Sequence, residues 1–241
     1  MSEPLTAEPA VAVERAPFWE DVVDIYTSPR AVFERRREAP YIPALVTLTL
    51  AMTLLTVAFQ LSMGDAMFAA MRQSIEASGA ELPAEQIAQM QRISMFTAPL
   101  GALIMTPIAA VVTGLMVWGL GAVLGARMTF RAGVLIAAFS AFPRIISMIV
   151  SIFQGVLLDP LALHHVSISP ARFIAIDGSP LLVAALGRLD LFVLWSTALV
   201  AIGVATIART SSGRAWAVAL IVWALSALPL LVGPLTMAMN Q

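Results

Sequence analysis

Cysteine is absent from the 241 residues, and so is lysine. The first absence excludes disulfides and thiolate chemistry. The second leaves arginine as the only strongly basic residue. Charge of either sign is scarce, 12% of residues, where an average soluble domain carries about 25%. The net charge of −1 gives no footprint for nucleic acid. Enzyme signatures are missing as well: no H-E-x-x-H, G-x-S-x-G, Walker loop or G-x-G-x-x-G. The expectation is therefore no enzyme, no cofactor and no metal centre. His164 and His165 are adjacent in a loop that also carries Asp159 and Asp177. Adjacent histidines on a helix diverge by about 100°, so a solvated loop is expected there rather than a zinc site.

What the chain has is apolar sequence. Hydrophobic residues make up 59%, and the mean hydropathy is +0.88. That is the composition of a polytopic membrane protein of the all-α class. The most informative run is 130–158, FRAGVLIAAFSAFPRIISMIVSIFQGVLL. It is long enough to cross a bilayer, yet Arg144 lies far from either end. A charge there is costly, by roughly 3 to more than 10 kcal/mol, and needs a partner or a wet cavity. Ser140, Arg144, Ser147, Ser151 and Gln154 follow at spacings of four, three, four and three, one face of a helix. Pro143 removes a backbone donor, frees the Phe139 carbonyl and predicts a kink.

In chain order, residues 1–16 read as a disordered tail. The N-terminus lacks the pattern of a cleavable signal peptide. Residues 17–39 read as two short amphipathic helices in the cytoplasmic interface. Phe18, Trp19, Val22, Val23 and Tyr26 form an apolar face, Ser28–Pro29 opens the second helix, and Arg35, Arg36 and Arg37 reach lipid headgroups. Trp19 and the three arginines are the expected interfacial anchor. Five spans are predicted, at about 41–63, 98–125, 130–158, 186–208 and 214–238. The outer loop, 64–97, carries methionine-rich helical pieces, expected either to rest on the membrane surface and offer a partner a contact face or to pack on their own bundle. Thr49, Thr53, Thr56 and Gln60 repeat the polar spacing of the third span, so the two faces are expected to satisfy one another. Gly121 and Gly125, with Gly114, suggest a close helix contact.

Arginine near the span ends sets the orientation. Nine arginines fall on the side of the N-terminal tail and four on the other, which places the N-terminus in the cytoplasm and the C-terminus outside. Counting residues puts Arg144 about 20 Å and Asp190 about 28 Å above the cytoplasmic interface, within an arginine's reach. The expectation is an Arg144–Asp190 pair tying the third and fourth spans, with Trp195 as an alternative cation–π neighbour. An intramembrane polar network of Arg144, Asp190, Ser140, Ser147, Ser151 and Gln154 is then either structural glue between helices or the lining of a substrate pathway.

The segment FWEDVVDIYTSPRAVFERRRE, the loop motif LPAEQI, the Pro143–Arg144 pair and LDLFVLW at 189–195 together resemble the bacterial Yip-domain family of membrane proteins. The resemblance extends from about residue 17 through nearly the whole chain. It implies a five-span inner-membrane protein, and the lack of lysine with abundant alanine fits a GC-rich bacterial genome. Eukaryotic relatives bind prenylated Rab GTPases; a bacterial chain has no such partner, and no catalytic residues are carried over. The function expected is non-enzymatic, through contact with membrane lipids and other membrane proteins, with homo-oligomerisation left open. The alternative is a small transporter or channel using the polar face of the third span.

Overall fold

The computed structural model describes residues 17–77, 83–157, 168–174 and 179–229. Within them every regular element is helical: α1 (Phe18–Thr27), α2 (Pro29–Arg35), α3 (Ile42–Ala77), α4 (Ala84–Val123), α5 (Phe130–Ser140), α6 (Pro143–Leu157), α7 (Pro180–Gly187), α8 (Leu191–Ile207) and α9 (Ser212–Leu225), with a 3₁₀ turn at Pro170–Phe173. The stretches Ile42–Ala69, Glu85–Val123 and Phe130–Leu157 are long and apolar enough to cross a membrane. A fourth candidate is the pair α7 and α8, bent by 50° at a short break. Of the fifth span expected at 214–238, the described residues hold the first part, as α9 and the residues up to 229. There α9 has 14 residues, about 21 Å of helix against a hydrocarbon core of about 30 Å. Residues 230–238 lie outside the described part, as do the tail 1–16 and Gly79.

The first two spans, α3 and α4, overrun their expected lengths. Most of the loop 64–97 extends α3 and α4 into one antiparallel hairpin instead of forming a separate surface layer. Polar residues join its arms. Gln60 Nε2 donates to the Ser94 carbonyl and hydroxyl, both at 3.0 Å, and Gln91 Nε2 donates to Asp65 at 2.6 Å. Gln60 therefore faces α4 and not the third span. The threonine stripe is also turned back on its own helix. Thr49, Thr53 and Thr56 each donate to the carbonyl four residues earlier, at 2.7–2.8 Å. A hydroxyl so close to its own backbone takes that acceptor first.

Gly121 and Gly125 do not form a helix-crossing motif. Gly125 has φ +77° and ends α4, with Ala126 N–H donating to the Gly121 carbonyl at 2.7 Å. That is a Schellman stop. The close crossing is made by Gly114 instead, which meets Gly133 of α5. A Cβ on Gly133 would lie 2.5 Å from the Gly114 carbonyl oxygen. The end of α8 repeats the stop without a glycine: Arg209 has φ +49°, and Thr210 N–H donates to the Ala205 carbonyl at 3.3 Å. A side chain in this left-handed region costs about 1 kcal/mol or more. Arg209→Gly is therefore expected to stabilise the protein by about 1 kcal/mol, read as a higher thermal midpoint in detergent. An unchanged or lower midpoint would count against the strain.

The third span is broken where Pro143 predicts. Here α5 stops at Ser140 and α6 restarts at Pro143. The Phe139 carbonyl is not left free, since it accepts from Phe142 N–H at 3.2 Å. The Phe142 carbonyl accepts twice, from Ile145 N–H at 2.9 Å and from Tyr26 O–H at 3.0 Å. Phe142 is eleven residues beyond Arg131, about 16 Å along the helix. So α1 is seated beside the bundle at the break and not at the level of Arg131. Ile25, Val32 and Phe33 are fully buried, and Phe33 fills the space left by Gly203 of α8.

Burial raises the Tyr26 phenol to about 12 from its ordinary 10.0. The neutral form is the one that folding favours. Its contribution is complete below about 10 and is lost as pH rises through about 12. The Tyr26 ring also stands edge-on to Trp195, with centroids 5.6 Å apart. Trp195 emission should therefore change in that alkaline window as α1 detaches. Tyr26→Phe should lose about 0.5–1.5 kcal/mol, the net value of one hydrogen bond, since the Phe142 carbonyl keeps its bond from Ile145 N–H, and should abolish the alkaline step. A wild-type step surviving in Tyr26→Phe would assign it to another group.

Candidate functional site

The two interrupted spans meet at a partly open cavity of about 130 Å³. Leu48 and Met52 of α3, Thr106 and Thr113 of α4, and Trp223 and Ser226 near the end of α9 form its walls. The first break supplies Ser140 and Arg144; the second supplies Arg188 and, one turn into α8, Ser196 and Thr197. Each arginine follows directly from the local fold. Arg144 is the residue after the proline that restarts the third span. Arg188 is the C-cap of α7, at the bend before α8.

The two cations are held differently. Arg188 is fixed: its Nη2 donates to the Trp223 carbonyl at 2.7 Å and to Ser226 Oγ at 2.8 Å, and its guanidinium lies 5.4 Å from the centre of the Trp223 ring. Trp223 Nε1 returns a bond to the Arg188 carbonyl at 3.3 Å. Arg144 makes no side-chain hydrogen bond or ion pair among the described residues. It presents an exposed side chain to the cavity. Ser140 Oγ, Ser196 Oγ and Arg188 Nε are buried without a partner. Among the described residues no carboxylate lines the cavity.

The expected Arg144–Asp190 pair does not form. Asp190 is the N-cap of α8, and its carboxylate accepts from Phe192 N–H at 2.8 Å and Val193 N–H at 3.4 Å. The orphan donors and positive end of its own helix hold the carboxylate there. Trp195 is engaged by Tyr26, as described above. The five-residue polar face does not reach the cavity as a whole. Ser140 and Arg144 reach the cavity, while Ser147, Ser151 and Gln154 on α6 are outside its lining. Gln154 Oε1 is buried without a partner.

The proposed interfacial anchor also divides. Trp19 is 66% exposed and remains available to a membrane surface. Arg35 and Arg36 do not point outward: both bind Asp21, which is fully buried, and Arg35 also binds Asp24 at 2.7 Å. Asp24, ahead of Asp21, holds the Arg35 guanidinium above its ordinary pKa. Arg36 lies 5.9 Å from the Phe18 ring centre, and Arg37 is half-buried. An acid inside a folded pair needs its cations more than the headgroups do.

Among the described residues no three His, Asp or Glu side chains gather to hold a metal. His164, His165, Asp159 and Asp177 lie outside them. Arg188 and Ser196 were not read as site residues from sequence. The signal was present: Arg188 interrupts the apolar run LLVAALGRLDLFVLW. Starting the fourth span at 186 made it look like a flank.

A family model, the Yip1 domain, matches residues 23–233. No curated protein and no solved structure matches the chain.

Proposed function

The chain belongs to the Yip1-domain family, and on that premise we propose that it is a non-enzymatic, multi-pass membrane protein. It acts by contact with lipids and with other membrane proteins in the organisation of the bilayer. We place it in a bacterial inner membrane with the N-terminus in the cytoplasm and the C-terminus outside. The observation that carries this reading is the helix pair α1–α2. It is folded onto α5 and α8 through Ile25, Val32 and Phe33, yet it leaves Trp19 and Val23 outward, 66% and 57% exposed. A membrane-proximal element with a rigid inner face and a free apolar outer face is a contact surface. The α3–α4 hairpin offers a second one, with Met67, Met90, Met95 and Phe96 exposed.

The test is site-specific photo-crosslinking in native membranes from Trp19 and from Phe96, with Leu54 of α3 as a lipid-facing control. The reading expects protein adducts from the first two positions and lipid adducts alone from the third. Lipid adducts alone from all three would remove the protein-contact part of it. A second reading, a small transporter or channel, is favoured by the polar cavity at Arg144. Solute flux into proteoliposomes that Arg144→Gln abolishes would support it.

A further inference from the structure

Two guanidinium groups face one small cavity inside a membrane bundle, and among the described residues no carboxylate answers them. Arginine stays protonated in proteins, so the charge cannot be shed. Both line the same cavity, so their like charges share one space. Two cations facing one cavity of a membrane bundle without a counter-charge are costly and favour an anion. The rest of the lining supplies donors that the fold itself leaves unused. Ser140 Oγ is 2% exposed by residue and has no partner, and Ser196 Oγ and Arg188 Nε are likewise buried and unpartnered. Cations and hydroxyls without acceptors are a donor set.

We propose that this cavity binds a phosphate monoester group, held between Arg144 and Arg188 with Ser140 and Ser196 as hydroxyl donors. The charge fits: two arginines against the roughly −1.5 to −2 that such a group carries near neutral pH. A carboxylate or a halide would neutralise only one of them. The fork of a guanidinium also matches paired phosphate oxygens. Arg188 is pre-positioned by Trp223 and Ser226, so little is lost in ordering it. Arg144, tethered only by its helix, closes on the ligand from the other side. The site stands whether or not the chain moves what it binds. The phosphate has two sources, a phosphatidic-acid-type lipid headgroup or free phosphate.

The full chain in a non-ionic detergent is titrated with short-chain phosphatidic acid and, separately, with inorganic phosphate. Thermal midpoint and tryptophan emission are followed, with Trp223→Phe identifying the reporter. A saturable rise in midpoint is expected, weakened at least 10-fold in Arg144→Gln and several-fold in Ser140→Ala. Without any phosphate, Arg144→Gln should melt no lower than the parent, since it removes a cation that has no partner. A purely structural arginine would do the opposite, and that result would overturn the proposal. Response to phosphatidic acid alone assigns the site to a headgroup; response to both, with competition, assigns it to the phosphate group itself. Either supports the site. No saturable response to either probe, or equal affinity in Arg144→Gln, overturns it.

Discussion

Asp21→Ala is expected to cost about 3 kcal/mol, the lower end of what breaking a buried ion pair costs. The carboxylate is fully buried and is the shared acceptor of Arg35 and Arg36, so it ties α1 to the end of α2. Truncation removes that tie and takes from both guanidinium groups the buried acceptor they share. The lower end applies because Arg35 keeps Asp24, and both arginines retain some exposure, 25% and 17% of their side chains. Asp24→Ala is the internal comparison. Asp24 is 35% exposed and takes one bond, so its loss should stay below about 1 kcal/mol. Urea unfolding in detergent measures both. Trypsin supplies a local readout, because cleavage after Arg35 and Arg36 should accelerate in Asp21→Ala well before the bundle melts. Equal losses in the two variants would show that the helix pair is held by Ile25, Val32 and Phe33 alone.

The second large effect lies at the α4–α5 crossing. Gly133→Val should be the most damaging single change in the bundle. Even the first carbon of a side chain there would sit 2.5 Å from the Gly114 carbonyl oxygen and 3.0 Å from Trp118 Cβ. The reciprocal clash is with backbone too: a Cβ on Gly114 would lie 2.6 Å from Val134 Cα. Backbone cannot rotate away as a side-chain tip can, so the helices must separate. The cost is expected at about 3 kcal/mol or more, the upper end of overpacking. It would appear as loss of the monodisperse peak on size-exclusion chromatography. Gly119→Ala tests the geometry with the opposite sign. Nothing lies within 4 Å of a Cβ at Gly119, so this variant should gain about 0.5–1 kcal/mol from helix propensity. If Gly133→Val folds as well as Gly119→Ala, the crossing is not as close as drawn.

What the sequence discloses is one-dimensional. Ser28–Pro29 marked a helix start and Pro143 marked the break, because those signals act within a few residues of themselves. The apolar runs gave three spans for the same reason. The failures concern partners. Asp21 and Arg35 are 14 residues apart, and nothing in an amphipathic pattern says that an acid turns inward to meet a basic cluster. Asp190 was matched to Arg144 by depth alone. Depth counts residues along a helix and ignores that a carboxylate at a helix start has nearer donors in its own backbone. The threonine stripe of α3 failed likewise, its hydroxyls returning to carbonyls four residues back. Gly125 looked like a packing residue because spacing cannot distinguish a helix face from a left-handed stop. At the cavity, Arg144 was legible as a charge out of place, whereas Arg188 was hidden by a span drawn six residues too short.

The length of the α3–α4 hairpin has a practical side. At 36 and 40 residues, its arms measure about 54 and 60 Å, some 24–30 Å more than a bilayer's hydrocarbon core. The excess collects at the end where the arms join, marked by Asp65, Arg72, Glu85 and Arg92. A chain of 25.6 kDa otherwise vanishes inside its detergent micelle. This mast gives electron micrographs an orientation mark. An antibody fragment raised against its tip would report which face of the cell it stands on.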